Sequence, residues 1–413
     1  MSNLLTIAYV LLLLETPLQG LNLTTGYEDE ILVVLLFVFS TVKFGMNLKY
    51  LILISMFLTL ALLSTVFSPY PLRPEVFVLD SFLFLKPILF WISLSRLTPE
   101  CKKVALRKVK KFSIVYFNLS LVGLIPHYFF KLFPIFEYRF GLPSYQFIYT
   151  NPGEFANIAL ILGTLLYIAD RRNDRPKPLY LYLTIILLLS SLRFKSFILV
   201  SILVVLSRGY TYIYPLLVKV VKKRNLFSVE NAILFLPLGV VVLAPGYSQF
   251  LKYFFSGITT PRLLFYSTSI RLATTYFPLG VGSGMFGSTM ARIYYSPLYM
   301  DLGWNKYWGF SLYGDANFLN DNFWPMVIGQ YGILSLLVVL MIYRLISYEI
   351  LEIAIVNKYK MIVIVSIFFS LLLSTLGSAL IIGQLGVLLL FTIQLLNNEK
   401  ATGVSIGCKS TPL

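Results

Sequence analysis

Arg262 and Arg271 open the stretch of this sequence with the most chemical potential. A guanidinium grips phosphate or carboxylate oxygens with paired N–H donors. The two arginines stand nine residues apart on a segment of helical composition. Nine steps of about 100° leave a net half turn, so an ideal helix sets them on opposite faces, with different jobs. Next comes Pro278-Leu-Gly-Val-Gly-Ser-Gly-Met-Phe286. Gly280 and Gly282 would let backbone N–H groups approach phosphate oxygens as a nest. A tight turn at a helix end is the other reading. No Lys-Ser/Thr pair follows the glycines, so this is not a P-loop. Seven tyrosines and tryptophans then crowd into residues 294–313. They suit an interfacial belt or stacking on sugar rings, with Tyr295, Tyr299, Trp304 and, further on, Trp324 as the sugar-binding candidates. Asp321 stands where an apolar run begins, as a general base or as a helix cap.

Three more cations stand in unusual places. Arg139 lies in "FEYRFGLPSYQFIYTNPGEFANIAL", with Glu137 and Glu154 as possible partners. Asn151-Pro152-Gly153 reads there as a turn that delivers the chain into the next apolar run. Arg193 and Lys195 occupy the turn between two short apolar runs, 178–192 and 196–208. A full crossing needs about 20 residues, so this hairpin would leave its turn below the outer surface. Cations there are costly unless paired or facing a wet cavity. Either they bind a lipid phosphate or they snorkel to the interface.

The elements that must hold these residues are apolar helices. Of the 413 residues, 58% are hydrophobic and 13% charged, and the mean hydropathy is +0.80. Soluble domains carry roughly 25% charged residues. This composition excludes an ordinary cytosolic enzyme, a disordered chain and a secreted disulfide scaffold. The apolar runs are continuous rather than alternating, which excludes an outer-membrane barrel. The fold class expected is an all-α polytopic membrane protein with about twelve transmembrane helices (11–13). They fall near residues 4–20, 31–45, 49–68, 78–95, 112–127, 155–169, 178–192, 196–208, 231–247, 325–344, 361–377 and 379–396. The first is the weakest, because Glu15 interrupts it.

Lys and Arg collect in cytoplasmic loops. This set of spans places 23 of them on one side and 10 on the other, with Lys86 inside a span. Both termini are therefore expected in the cytoplasm, and so are Cys101 and Cys408, as free thiols. The net charge of +16 is read as this loop bias, and no nucleic acid partner is expected. One histidine, His127, excludes a multi-His metal centre. No Lys or Arg precedes the apolar stretch Leu4–Leu14, so no cleaved signal peptide is expected. The chain 1–413 reads as one integral membrane domain with two long external loops, 128–154 and 248–324. The larger loop precedes the last three helices.

The order Arg262, "YFPLGVGSGMFGS", "YYSPLY", "DNFWPMVIGQYG" resembles bacterial polysaccharide polymerases of the Wzy type, from the O-antigen ligase-like superfamily. The "RF…TNPGEFA" segment, the "SSLRFKS" hairpin and the large late loop resemble that family too, and the specific part lies in residues 262–332. The resemblance implies a membrane glycosyltransferase of GT-C-like architecture, without metal or cofactor, at the outer face of the bacterial plasma membrane. Its substrates would be oligosaccharide repeat units on undecaprenyl diphosphate. A growing chain would pass from its lipid diphosphate to the terminal sugar of a new unit, giving O-antigen, capsule or exopolysaccharide. A flippase and a chain-length regulator of the same pathway are the implied partners.

Under this resemblance Arg139, Arg193, Lys195, Gly280 and Gly282 would bind diphosphate. Arg262 and Arg271 would stabilise the leaving group, and Asp321 would act as base. Ligases of the superfamily carry a His near the position of Asp321; this chain has none there, which favours polymerase over ligase. The alternatives are a ligase acting on finished glycan, and a transporter or flippase of lipid-linked sugar, although no internal repeat supports the latter.

Overall fold

The computed structural model describes residues 1–24, 26–71, 73–168, 176–222, 260–312, 316, 318–320 and 322–398. The expected span at 231–247 and the candidate base Asp321 lie outside the described residues. Cys408 does too.

The described residues are mostly helical. In order it forms α1 (Ser2–Gly20), α2 (Glu28–Phe44), α3 (Leu48–Val66), α4 (Pro74–Ser95), α5 (Pro99–Val122) and α6 (Leu124–Phe130). A two-stranded antiparallel hairpin follows, β1 (Tyr138–Arg139) and β2 (Leu142–Pro143). Then come α7 (Pro152–Tyr167), α8 (Pro178–Ser190), α9 (Phe194–Lys222), α10 (Pro261–Thr275), α11 (Thr289–Ile293) and α12 (Pro297–Asp301). The last part holds α13 (Phe323–Met326), a π-helical turn (Val327–Tyr331), α14 (Gly332–Ala354), α15 (Lys358–Gly377) and α16 (Gln384–Leu396).

Seven helical segments among the described residues are long and apolar enough to cross a membrane: α1, α3, α4, α5 with α6, α9, α13 through α14, and α15. Helices α7, α8 and α16 are apolar but shorter. Large apolar side chains stand exposed on the outer helices, among them Leu35, Val42 and Leu48. In water such a surface would drive aggregation; against lipid tails it is the expected exterior. Helix α7 is buried on nearly every face from Phe155 to Tyr167, as a helix apolar all round should be. It packs on α5, α8 and α15.

Two helices run further than their apolar runs. Helix α5 starts at Pro99, not near 112, because the Thr98 hydroxyl caps it by accepting from Cys101 N–H. Its Lys- and Arg-rich first half is polar helix rather than loop. Helix α9 continues through Arg208 to Lys222, so only α8 of the expected short pair is short.

The large loop docks on the bundle through its glycine-rich segment. The π-helical turn displaces the carbonyls of Gly329 and Gln330 from the regular helical pattern. Gly329 O accepts from Val281 N–H at 3.0 Å, and Gln330 O accepts from Gly282 N–H at 2.9 Å and from the Ser64 hydroxyl at 3.0 Å. Gly280 N–H donates to Ser64 Oγ at 3.2 Å and Ser283 N–H to Thr65 Oγ1 at 3.0 Å. Asp80 on α4 accepts from Gly284 N–H at 3.1 Å, Gln330 Nε2 at 2.5 Å and the Tyr331 hydroxyl at 2.9 Å. A Cβ on Gly280 would stand 2.4 Å from the Gln330 carbonyl carbon, so only glycine permits this approach.

Candidate functional site

One cavity of about 1510 Å³ opens among helix ends. Its walls come from the end of α1, the start of α2, the middle of α4, the segment around β1, the first turns of α7, α9 and α10, and the end of α15. Arg139, Arg193, Lys195 and Arg262 all line it. Four cations from three distant segments of the chain thus face one space.

Each is held by a local device. The β1–β2 hairpin carries Arg139, whose Nε meets Glu137 Oε1 at 3.0 Å. Arg193 Nη1 meets the same oxygen at 3.0 Å, so Glu137 bridges both guanidiniums. The Phe136 ring lies 4.7 Å beneath Arg193, a cation–π contact. Arg139 Nη1 also donates to Leu192 O at 3.4 Å, tying the two turns together. Lys195 donates to Asn157 Oδ1 at 3.0 Å and to the Ser374 hydroxyl. Both Arg193 and Lys195 therefore face the polar cavity with protein partners. Arg262, in the first turn of α10, donates to Gly377 O at 3.2 Å. It joins the large loop to the end of α15.

The same cavity carries carboxylates as well. Lys86 of α4 pairs with Asp29 at 2.5 Å and Glu30 at 2.6 Å. Glu15, 3% exposed, lines the same space, and its Oε2 has no hydrogen-bond partner among the described residues. Glu154 stands in the first turn of α7, where Asn151 caps the helix by accepting from Gly153 N–H at 2.7 Å and Pro152 fixes the first helical residue. The positive end of the helix dipole favours a carboxylate at that position. Glu15, Asp29, Glu30, Lys86 and Glu154 had no assigned chemistry in the sequence. Their one signal was polarity within or beside an apolar run.

The remaining candidates fall elsewhere. Arg271 is exposed, outside the cavity lining, on a different face of α10 from Arg262. Gly280 and Gly282 are not placed to cradle phosphate, because their N–H groups bond Ser64 Oγ and Gln330 O. Tyr295, Tyr299 and Trp304 do not present faces to a sugar. They fill the loop's own core with Phe265, Phe286 and Phe310, and Trp304 stacks on Tyr299 at 5.6 Å. The Tyr299 hydroxyl accepts from Gly287 N–H at 2.8 Å, and burial raises its pKa above the usual phenol value. Trp324 is half-buried and outside the cavity lining, donating from Nε1 to Thr375 Oγ1 at 3.0 Å. Aromatic composition alone does not separate a loop core from a sugar platform; packing does.

A second, apolar groove of about 720 Å³ lies across the two turns. Phe140 and Leu192 line it, with Ile125, Phe129, Ile186 and Phe197. Their chain neighbours Arg139 and Arg193 line the charged cavity, so the same two turns separate an apolar space from a cationic one. No protein-family model, no curated protein and no solved structure matches the chain.

Proposed function

We propose that this chain polymerises undecaprenyl-diphosphate-linked oligosaccharide repeat units into a surface polysaccharide at the outer face of a bacterial plasma membrane. The observation that carries this reading is the convergence of Arg139, Arg193, Lys195 and Arg262 on one cavity beside an apolar groove. A diphosphate leaving group gains negative charge as the glycosidic bond breaks, and fixed cations stabilise that charge most where water is scarce. The groove would take the polyprenyl chain and the cavity its diphosphate and sugars. Drug-sized ligands fill about 300–1,000 Å³, so a cavity of about 1510 Å³ suits an oligosaccharide. The reading includes about twelve spans, cytoplasmic termini and a GT-C-like architecture, with the cavity outside.

The test is a gel profile of surface and lipid-linked glycans in a deletion strain carrying wild-type, Arg139→Ala or Arg262→Ala copies. Single repeat units accumulating outside, rescued by wild type and by neither variant, is the expected result. Finished polymer retained on the lipid carrier would instead make the chain a ligase. Units trapped on the inner leaflet would make it a transporter, and unchanged polymer would overturn the reading.

The groove adds its own expectation. Phe140 is 78% exposed, so Phe140→Glu leaves the fold intact but puts a charge where lipid would lie. The KM for the undecaprenyl-linked unit should rise about tenfold, the equivalent of roughly 1.4 kcal/mol. Turnover of a short-prenyl analogue should stay unchanged. Equal effects on both substrates would remove the groove from the lipid path.

A further inference from the structure

The charged cavity holds one carboxylate in a specific frame. The N-cap Asn151 and, within α7, Glu154 and Asn157 follow at intervals of three residues, which places neighbours of the series on one side of the helix start. The flanking two each meet a cation: Asn151 Oδ1 lies 3.5 Å from Arg193 Nη2, and Asn157 Oδ1 accepts from Lys195 Nζ at 3.0 Å. Glu154 therefore sits between the two cationic contacts. Its Oε1 accepts from the Thr16 hydroxyl. Among the described residues no hydrogen bond reaches its Oε2, and the side chain lines the cavity.

We propose that Glu154 is the proton acceptor for the attacking sugar hydroxyl, an assignment that rests on the polymerase reading. The hydroxyl oxygen of the incoming unit forms a bond to the anomeric carbon of the growing chain. The bond from that carbon to the diphosphate oxygen breaks, and its electron pair leaves with undecaprenyl diphosphate, held by Arg193 and Lys195. The hydroxyl proton passes to Glu154 Oε2 and then to water. Thr16 holds the carboxylate in place by donating to its Oε1.

The experiment uses the full chain in lipid vesicles with undecaprenyl-diphosphate-linked repeat units as substrate and undecaprenyl diphosphate alone as the binding probe. Glu154→Gln should lower extension at least a hundredfold and keep wild-type binding of the probe. The wild-type rate should rise with pH on the acid side, and the Gln variant should lose that rise. Glu154→Asp should recover part of the rate with that rise displaced. Should the Gln variant fail to fold, the Asp variant decides: a displaced rise supports the assignment, and an undisplaced one overturns it.

Extension by Glu154→Gln at the wild-type rate overturns the assignment and leaves the polymerase reading standing. So does an acid-side rise that survives in Glu154→Gln but vanishes in Asp321→Asn. A wild-type chain that binds the probe but never extends overturns the polymerase reading and this proposal with it.

Discussion

On the polymerase reading, replacing Arg193 with Ala should lower polymer extension by about 10²–10³-fold, the usual loss when one preorganised donor to a developing oxyanion is removed. Arg193 shares Glu137 with Arg139 and rests on the Phe136 ring, so its guanidinium is fixed before substrate arrives. Donors fixed in advance do not reorganise as charge develops. Removing Arg193 leaves Glu137 paired with Arg139, so no carboxylate is stranded and the protein level in the membrane stays normal. Arg193→Lys recovers only part of the rate, because an ammonium cannot fork onto two oxygens. Arg271→Ala serves as the comparison. Its side chain is exposed and outside the cavity lining, so its extension rate should lie within about twofold of wild type, the range of an exposed charge change of ~0.5 kcal/mol. Initial rates in vesicles check both. A normal rate in Arg193→Ala would remove the bridge from the site.

The contrast between these arginines shows how far the sequence was legible. A nine-residue spacing predicts different faces for Arg262 and Arg271, but not which face meets a cavity. Arg139, Arg193 and Lys195 stood out because charge amid apolar runs is expensive unless it faces something polar. Glu154 and Asn157 did not, since one carboxylate and one amide on a helix are ordinary until α1 brings Thr16 and α9 brings Lys195 against them.

The glycine-rich motif misled for a related reason. Gly280 and Gly282 permit close approach by another group, and the sequence does not say whether that group is phosphate or the Gln330 carbonyl. The apolar runs gave the helices well, because burial in lipid and burial in protein both demand continuous apolar sequence. Their ends at Pro99 and Lys222 were missed because charged helix and charged loop share one composition.

The second large effect concerns the clasp that seats the loop, far from the charged cavity in chemistry but not in consequence. Asp80 is 3% exposed and accepts three hydrogen bonds from the loop and the π-helical turn. Asp80→Ala strands the Gly284 N–H, the Gln330 amide and the Tyr331 hydroxyl in a dry interior. Each stranded donor costs about 1–3 kcal/mol, so the loop should lose roughly 3 kcal/mol or more of docking stability. Arg262 reaches the cavity from α10, which packs on the same π-helical turn. Undocking the turn therefore withdraws a cation from the site, and extension should fall although no cavity residue has changed. Asp80→Asn keeps one acceptor oxygen and should lose less. Limited proteolysis of residues 278–310 in vesicles separates the causes. Faster cleavage together with lost extension is the expected result for Asp80→Ala. Lost extension with an equally protected loop would mean that Asp80 acts on the chemistry and not through the clasp.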